Sequence, residues 1–179
     1  NISATTGCSL ANATAWPKIG SKSLSGYQRS KVLHNEGGRG FVEVAEAVGV
    51  TDLLDGRAVA VADLFNRGRL DVLGANQLGP LLLYKNERTT APHWIGLELV
   101  GTRGNRDAIG AKVVVDFGSA SQVQFKTSFV GFSSQNDPRL HFGLGLHGRA
   151  DHVRIRWPSG ADQELGPLEA DRYHEIVEP

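Results

Sequence analysis

The sequence has no methionine and only one cysteine, Cys8, in 179 residues. A single cysteine excludes an internal disulfide bond and a cysteine-based metal cluster. Because methionine is missing even at position 1, we expect a chain that was processed or cut from a longer protein. Cys8 has no neighbouring base that would activate it, so we expect an ordinary thiol rather than a nucleophile.

Net charge and long apolar runs are also absent. Lysine and arginine together number 19, as do aspartate and glutamate, so no net positive field is available to hold a phosphate backbone. No apolar run approaches the length of a membrane span, and the first residues do not form a signal-peptide pattern. We therefore expect no nucleic-acid partner and no membrane span.

Residues 1–26 are rich in serine, threonine, alanine and asparagine and lack the apolar periodicity of a segment with its own core. We expect an extended N-terminal arm that docks on another molecule. The side chains expected to dock are Ile2, Ala4, Thr6 and Leu10. Two N-x-S/T sequons place candidate glycosylation sites at Asn1 and Asn12, for a host that glycosylates.

The rest of the chain has the pattern of a β protein. From Val32 onward, glycine and Asx residues separate short apolar runs at intervals of roughly 8–12 residues. Strands are predicted over residues 57–65, 70–75 and 81–84, the first of them apolar on both faces. After Pro92, period-two alternation predicts half-buried strands. The residues predicted to face their core are Val113, Val115, Phe117, Val123, Phe125, Thr127, Phe129, Val153, Ile155 and Trp157.

The predicted fold class is all-β: a propeller-blade-like repeat packed on a β-sandwich or barrel domain, with the arm at the N-terminus. The predicted domains are the arm at residues 1–26, the repeat at 27–91 and the second β domain at 92–179. Only residues 43–48 have a helical pattern, about one turn long. One blade cannot bury both of its faces alone, so it must pack on the second domain, on missing neighbours or on other copies.

Two groups of motifs resemble known families. The first contains Ser25-Gly-Tyr-Gln-Arg29, Phe41-x-Glu-Val-Ala, Asp55-Gly-Arg-Ala-Val-Ala-Val-Ala-Asp63 and Gly68-Arg-Leu-Asp71, and is similar to an FG-GAP/VCBS-type repeat. The second contains Gly101-Thr-Arg-Gly-Asn105, Gly131-Phe-Ser-Ser-Gln135, His141-Phe-Gly-Leu-Gly145 and Arg156-Trp-Pro-Ser-Gly160, and resembles the ASPIC/UnbV domain, also found at the end of cartilage acidic protein. The resemblance implies a secreted or surface β-rich protein, with no established catalysis and with adhesion or extracellular interaction as the usual role.

Calcium loops of such repeats read Asp-x-Asp-x-Asp-Gly-x-x-Asp, because a hard cation takes several oxygens from alternate positions. This chain has Asp63-Leu-Phe65-Asn66-Arg67-Gly68-Arg69-Leu-Asp71, in which Phe65 and Arg67 occupy two ligand positions. The candidate calcium ligands that remain are Asp63, Asn66 and Asp71. The alternative is a retained turn in which Arg67 or Arg69 replaces the ion by pairing with the aspartates.

Other motifs have structural interpretations. Gly143-Leu-Gly145-Leu-His-Gly148 matches G-x-G-x-x-G, but a strand-like run follows it where a dinucleotide site needs a helix, so we predict a tight turn. A zinc site lacks support from the spacing of His141, His147 and His152. Ser133 and Ser134 lie outside a G-x-S-x-G elbow. A solvated strand face explains Arg103, Arg106, Arg154 and Arg156 better than an anion-binding patch does.

We therefore expect a non-enzymatic, extracellular structural or adhesive module that self-associates, with filaments joined by strand addition from the arm as its specific form. Its partners are then other copies, extracellular proteins or glycans, and no cofactor is required. The alternative is a calcium- or glycan-binding module cut from a longer β-propeller protein. A role in a biosynthetic pathway is a third hypothesis, for which no residue indicates a reaction.

Overall fold

A computed structural model describes residues 28–90 and 92–179. These residues form an all-β structure with no helix, as the sequence predicted, and hence no long apolar helix that could cross a membrane. The chain divides after Asp55 into two compact units. The predicted arm, with Asn1, Asn12, Ile2, Ala4, Thr6 and Leu10, lies outside the described residues. The predicted domain limits stay predictions.

The described part of the first unit, residues 28–55, is a hairpin followed by a turn. Strands β1 (Leu33–Asn35) and β2 (Phe41–Glu43) pair antiparallel. The predicted helical turn at residues 43–48 is a hydrogen-bonded turn instead, in which the Val48 N–H donates to the Val44 carbonyl at 3.1 Å. Gly49 follows with φ +81°. Glycine adopts this left-handed conformation without strain, and it prevents the turn from continuing as a helix.

The second unit begins with a three-stranded antiparallel sheet. Its strands are β3 (Gly56–Ala62), β4 (Asp71–Asn76) and β5 (Leu82–Tyr84), in the order β3-β4-β5. All three correspond to predicted strands. The outer edge of β3 is covered, because the Val61 N–H donates to Asn136 Oδ1 at 2.9 Å and the Asp137 N–H donates to the Val61 carbonyl at 2.8 Å. Strand β5 forms the other edge.

The remaining strands form two larger sheets and one short pair. One sheet, in the order β14-β6-β9, contains β6 (His93–Val100), β9 (Leu140–Gly145) and β14 (Arg172–Val177). The other, in the order β12-β11-β7-β8, contains β7 (Lys112–Phe117), β8 (Ala120–Phe125), β11 (His152–Arg156) and β12 (Asp162–Leu165). β10 (Arg149–Ala150) pairs with β13 (Leu168–Glu169). Within the described residues, none of these sheets closes into a barrel.

One hydrophobic core lies between the two larger sheets. Ile95, Leu97 and Phe142 of the first sheet are fully buried, as are Val113 and Val115 of the second. The inward positions predicted for β7 and β11 are therefore confirmed. The structure is a sandwich, which was one of the two predicted architectures.

The prediction of which β8 residues face the core is wrong. Val123 and Phe125 were expected to face the core, but they are 50% and 58% exposed, and Phe129 beyond the strand is 71% exposed. The alternating polar residues point towards the neighbouring sheet instead: Gln122 Nε2 donates to the Gly143 carbonyl and Gln124 Nε2 to the His141 carbonyl, each at 2.7 Å. Because β9 is an edge strand, its outward carbonyls need donors, and side chains of β8 supply them.

Lys126, two residues after Gln124, also donates a side-chain hydrogen bond to a backbone carbonyl outside its own sheet. Lys126 is buried, and its Nζ donates to the Pro138 carbonyl. Burial lowers the pKa of Lys126, against the opposing effect of Asp107, Asp137 and Glu98. Polar side chains thus join the edges of the two sheets where a barrel would have backbone hydrogen bonds.

Candidate functional site

The predicted calcium loop, residues 63–71, is built around a buried carboxylate. Asp63 is 2% exposed and accepts hydrogen bonds from the Arg67 N–H at 2.8 Å and the Gly68 N–H at 2.6 Å. The Tyr173 hydroxyl of β14 donates a third hydrogen bond at 2.7 Å. Burial opposes ionisation, but these hydrogen bonds outweigh it, so the pKa of Asp63 lies below its usual value of 3.8.

Asp71, at the start of β4, is the second carboxylate of the loop and is fully buried. Its Oδ1 lies 3.1 Å from Arg67 Nη2 and accepts a hydrogen bond from the Asn86 N–H at 2.8 Å. Arg67 therefore pairs with Asp71, which is half of the alternative drawn from the sequence. A guanidinium beside a buried carboxylate supplies the positive charge that an ion would otherwise provide.

Arg139 joins this loop to the sandwich. Its guanidinium bonds to both carboxylate oxygens of Asp137, at 2.9 and 2.7 Å, and donates to Asn66 Oδ1 at 2.7 Å. It also lies 3.9 Å from the centre of the Tyr173 ring. Burial opposes ionisation of Asp137, but hydrogen bonds from Arg139 outweigh it and lower the pKa of that carboxylate. Burial and the Asp63 carboxylate raise the pKa of Tyr173, which stays a neutral donor.

All three predicted calcium ligands are thus engaged by protein donors. Asp63 accepts from backbone and tyrosine, Asp71 from Arg67, and Asn66 from Arg139. The described residues contain no group of three or more histidine, cysteine, aspartate or glutamate side chains arranged to hold a metal. Calcium binding stays a prediction, and chemically the loop is a buried ion-pair network.

The three histidines considered for zinc lie in separate surroundings. His141 stacks on Trp94 with ring centroids 5.2 Å apart, and His147 contacts the edge of Phe117 at 5.6 Å. Burial lowers the pKa of His141, which keeps its ring neutral. The first three residues of the G-x-G-x-x-G segment end β9, and residues 146–148, including the exposed Leu146, form the predicted turn to β10.

Two of the four arginines on the predicted solvated face are ion-paired. Arg154 lies 3.0 Å from Asp116, and Arg156 lies 2.6 Å from Asp162. Both are about half exposed or more, so these pairs contribute little to stability, about 0–1 kcal/mol each.

The sequence missed two features of this unit. Nothing in the motifs indicated that Tyr173 contacts Asp63, because the two residues are far apart in the chain and only the packing of β14 beside β6 brings them together. The alternation of β8 was visible, but its apolar residues point outward. Exposed side chains continue from β8 into the following loop, and we call this set the outward apolar face: Val123, Phe125, Phe129, Val130 and Phe132.

The motif Gly101-Thr-Arg-Gly-Asn105 forms a closed loop after β6. Asn105 Oδ1 accepts from the Ile109 N–H at 2.6 Å, and the Gly101 N–H donates to the Arg106 carbonyl at 2.8 Å. A Cβ on Gly101 would lie 2.2 Å from the Asn105 carbonyl oxygen, so only glycine fits. The carboxylate of Glu178 accepts from the N–H groups of Thr102 and Arg103, at 2.7 and 2.8 Å.

Fold and site together define an all-β protein with a two-sheet sandwich and a buried ion-pair loop beside it. Residues 101–179 match the family model described as ASPIC and UnbV. The chain therefore carries an ASPIC/UnbV domain, as its motifs indicated. No curated protein matches the chain. The FG-GAP/VCBS resemblance of the preceding residues stays a prediction.

Proposed function

We propose that this protein is a non-enzymatic, extracellular structural or adhesive module whose copies associate with one another. The outward apolar face is the observation that supports it: its five side chains are exposed by 42% (Val130) to 75% (Phe132). Several large exposed apolar side chains close together in the sequence of a small domain favour a contact surface. Residues 127–135 contain no charged side chain, and Phe125 on β8 is paired with Lys112 of β7.

The magnitude of this contact limits what it achieves alone. Full burial of a large apolar side chain stabilises by about 1.5–3 kcal/mol, so covering the exposed part of these five on both copies gives about 12 kcal/mol. Association costs about 4–15 kcal/mol in lost freedom and ordering. The apolar face alone therefore gives weak association, and stable assembly requires a second contact.

Strand addition is the second contact in this proposal. The β3-β4-β5 sheet has three strands, whereas a propeller blade has four, and β5 is its outer strand on the side not covered by Asn136. Leu81 and Leu83 are 66% and 48% exposed there. A segment containing Ile2, Ala4, Thr6 and Leu10 of another copy would pair with β5 and complete the sheet.

Electron microscopy and light scattering test this proposal on the full chain and on a chain lacking residues 1–24. We expect assemblies from the full chain and smaller species from the truncated one, because strand addition is lost. Leu81→Lys with Leu83→Lys should act like the truncation, and Leu146→Lys, at a side chain 94% exposed in the β9–β10 turn, should act like the unaltered chain. Monomers from the full chain, or equal assemblies from all chains, would contradict it.

The non-enzymatic part of the proposal is supported by how the buried charged groups are used. Asp63, Asp71 and Asp137 are each bound to donors of the same protein rather than directed at an open site. The extracellular location follows from the ASPIC/UnbV resemblance alone. Cell fractionation tests it, and the intact mass of native protein reports glycans on Asn1 or Asn12.

A further inference from the structure

A cavity of about 200 Å³ lies beside the 63–71 loop. Arg69 and Leu70 of the loop line it, together with Arg88 after β5, Trp94 of β6 and His141 of β9. Among the described residues that line it, none is an aspartate or glutamate, and none belongs to the outward apolar face. The cavity is smaller than the roughly 300–1,000 Å³ that suit drug-sized molecules, so it fits a small ligand.

The two arginines of this cavity differ from others in the same unit. Five arginines are ion-paired to a carboxylate within 4 Å: Arg67, Arg139, Arg149, Arg154 and Arg156. In the part of the chain that the structure describes, neither Arg69 nor Arg88 has such a pair. The exposed Glu87 interacts electrostatically with both Arg67 and Arg69, and it pairs with Lys85 at 2.5 Å. His93, which also lines the cavity, contacts the Asp171 carboxylate at 2.7 Å, so among the described lining residues the positive charge available to a ligand comes from Arg69 and Arg88.

Another part of the cavity lining is aromatic and tightly packed. The Trp94 ring stacks on His141 at 16° and contacts Tyr173 edge-on at 4.8 Å. Gly68 lies directly on the indole, since a Cβ there would be 1.8 Å from Trp94 Nε1. Two buried nitrogen atoms, Arg69 Nε and His141 Nδ1, have no hydrogen-bond partner, which is uncommon in a finished protein interior and frequent around a binding site.

We propose that this cavity binds a small organic carboxylate, held by Arg69 and Arg88, with its apolar body against Trp94 and Leu70. Guanidinium groups bind carboxylates with directed, charge-assisted hydrogen bonds, and an apolar wall with a few polar groups is the usual composition of a small-ligand site. The carboxylate belongs to a free small acid or to the C-terminus of a peptide. This site is independent of the assembly proposed above.

Titration calorimetry on the full chain tests the proposal with two pairs of probes. One pair is 3-methylbutanoate and 3-methylbutanamide, and the other is N-acetyl-leucine and N-acetyl-leucinamide. In each pair the carboxylate is replaced by a carboxamide of similar shape, which removes the charge and exchanges one acceptor oxygen for an NH2 donor. We expect saturable binding of the acids. The amides should bind at least about tenfold more weakly, which is the loss of affinity expected when one charge-assisted hydrogen bond is lost.

Variants locate the binding. Arg88→Gln should weaken acid binding about tenfold and leave amide binding unchanged, and Arg69→Gln should act alike. Because the Arg88 side chain is exposed, Arg88→Gln should fold normally. Arg149→Gln, at an exposed arginine paired with Asp151, is the matched control and should bind like the unaltered chain.

The comparison between probes identifies the source of the carboxylate. Tighter binding of N-acetyl-leucine supports a peptide C-terminus, and tighter binding of 3-methylbutanoate supports a free acid. Equal binding of acids and amides would overturn the proposal, as would acid binding that neither Arg88→Gln nor Arg69→Gln reduces.

Discussion

Asp63 shows at the scale of one residue how this protein uses a position that the repeat pattern gives to calcium. Its carboxylate is buried and accepts hydrogen bonds from two backbone N–H groups and from Tyr173. The sequence left open calcium binding or pairing of the aspartates with Arg67 or Arg69, and Arg67 pairs with Asp71. It could not predict Tyr173, because that partner depends on the packing of a strand far along the chain.

Asp63→Asn tests this network. An amide places an N–H group against at least one of the donors that now meet a carboxylate oxygen, so we expect a loss of about 2–4 kcal/mol in the free energy of unfolding. Urea unfolding at neutral pH measures it. Asp162→Asn, which breaks an exposed pair with Arg156, is the control and should cost less than about 1 kcal/mol. Equal losses for the two variants would contradict the account.

The loss of stability in acid, compared between the unaltered protein and Asp63→Asn, provides a second test of the network. Because the folded-state pKa of Asp63 lies below 3.8, its contribution to stability is complete above pH 3.8 and is lost as the pH falls towards the folded-state value. Asp137 acts in the same direction. The unaltered protein should therefore lose more stability on acidification than Asp63→Asn does, since the variant lacks one of these carboxylates.

At the scale of the element, β8 separates what a sequence pattern determines from what it leaves open. Alternation predicted a strand at these residues, and the structure has one. It also predicted which face is buried, and this was wrong. Period-two alternation shows that alternate residues share a face of the strand. It does not show which of the two faces is buried, because that depends on the neighbouring edge strand. Here the free carbonyls of β9 take Gln122 and Gln124. For β7 and β11, which have strands on both sides, the apolar face is the core face.

Alanine substitutions of a phenylalanine in β7 and of one in β8 test whether the apolar side chains of β8 face outward. Phe117 of β7 is 6% exposed, whereas Phe125 of β8 is 58% exposed. We expect Phe117→Ala to lower the free energy of unfolding by about 3–5 kcal/mol and Phe125→Ala by less than about 1 kcal/mol, because only the first opens a cavity. Chemical denaturation of both variants measures the difference. A large loss for Phe125→Ala would place that side chain in the core and contradict the outward face.

At the scale of the whole molecule, the described residues of the second unit include strand edges that are bonded by side chains and surfaces that are not. The sandwich edges at β8 and β9 are joined by side chains, which protects them from pairing with other strands. Among the described strands, β5 is the last strand of its sheet, and the side chains of the outward apolar face are exposed. The all-β class and the ASPIC/UnbV domain could be predicted from local patterns and motifs. The cavity at Arg69 and Arg88 could not, because it depends on four segments that meet only in the folded protein.

Sedimentation velocity of the full chain over a range of concentrations tests the central claim, that the outward apolar face is a contact between copies. We expect the sedimentation coefficient to rise with concentration for the unaltered chain and for Leu146→Lys. It should rise clearly less for Phe125→Lys with Phe132→Lys, because a charge on this face would have to be buried in the contact, while strand addition to β5 is unchanged. A monomer at every concentration, or a double variant that associates like the unaltered chain, would contradict the account.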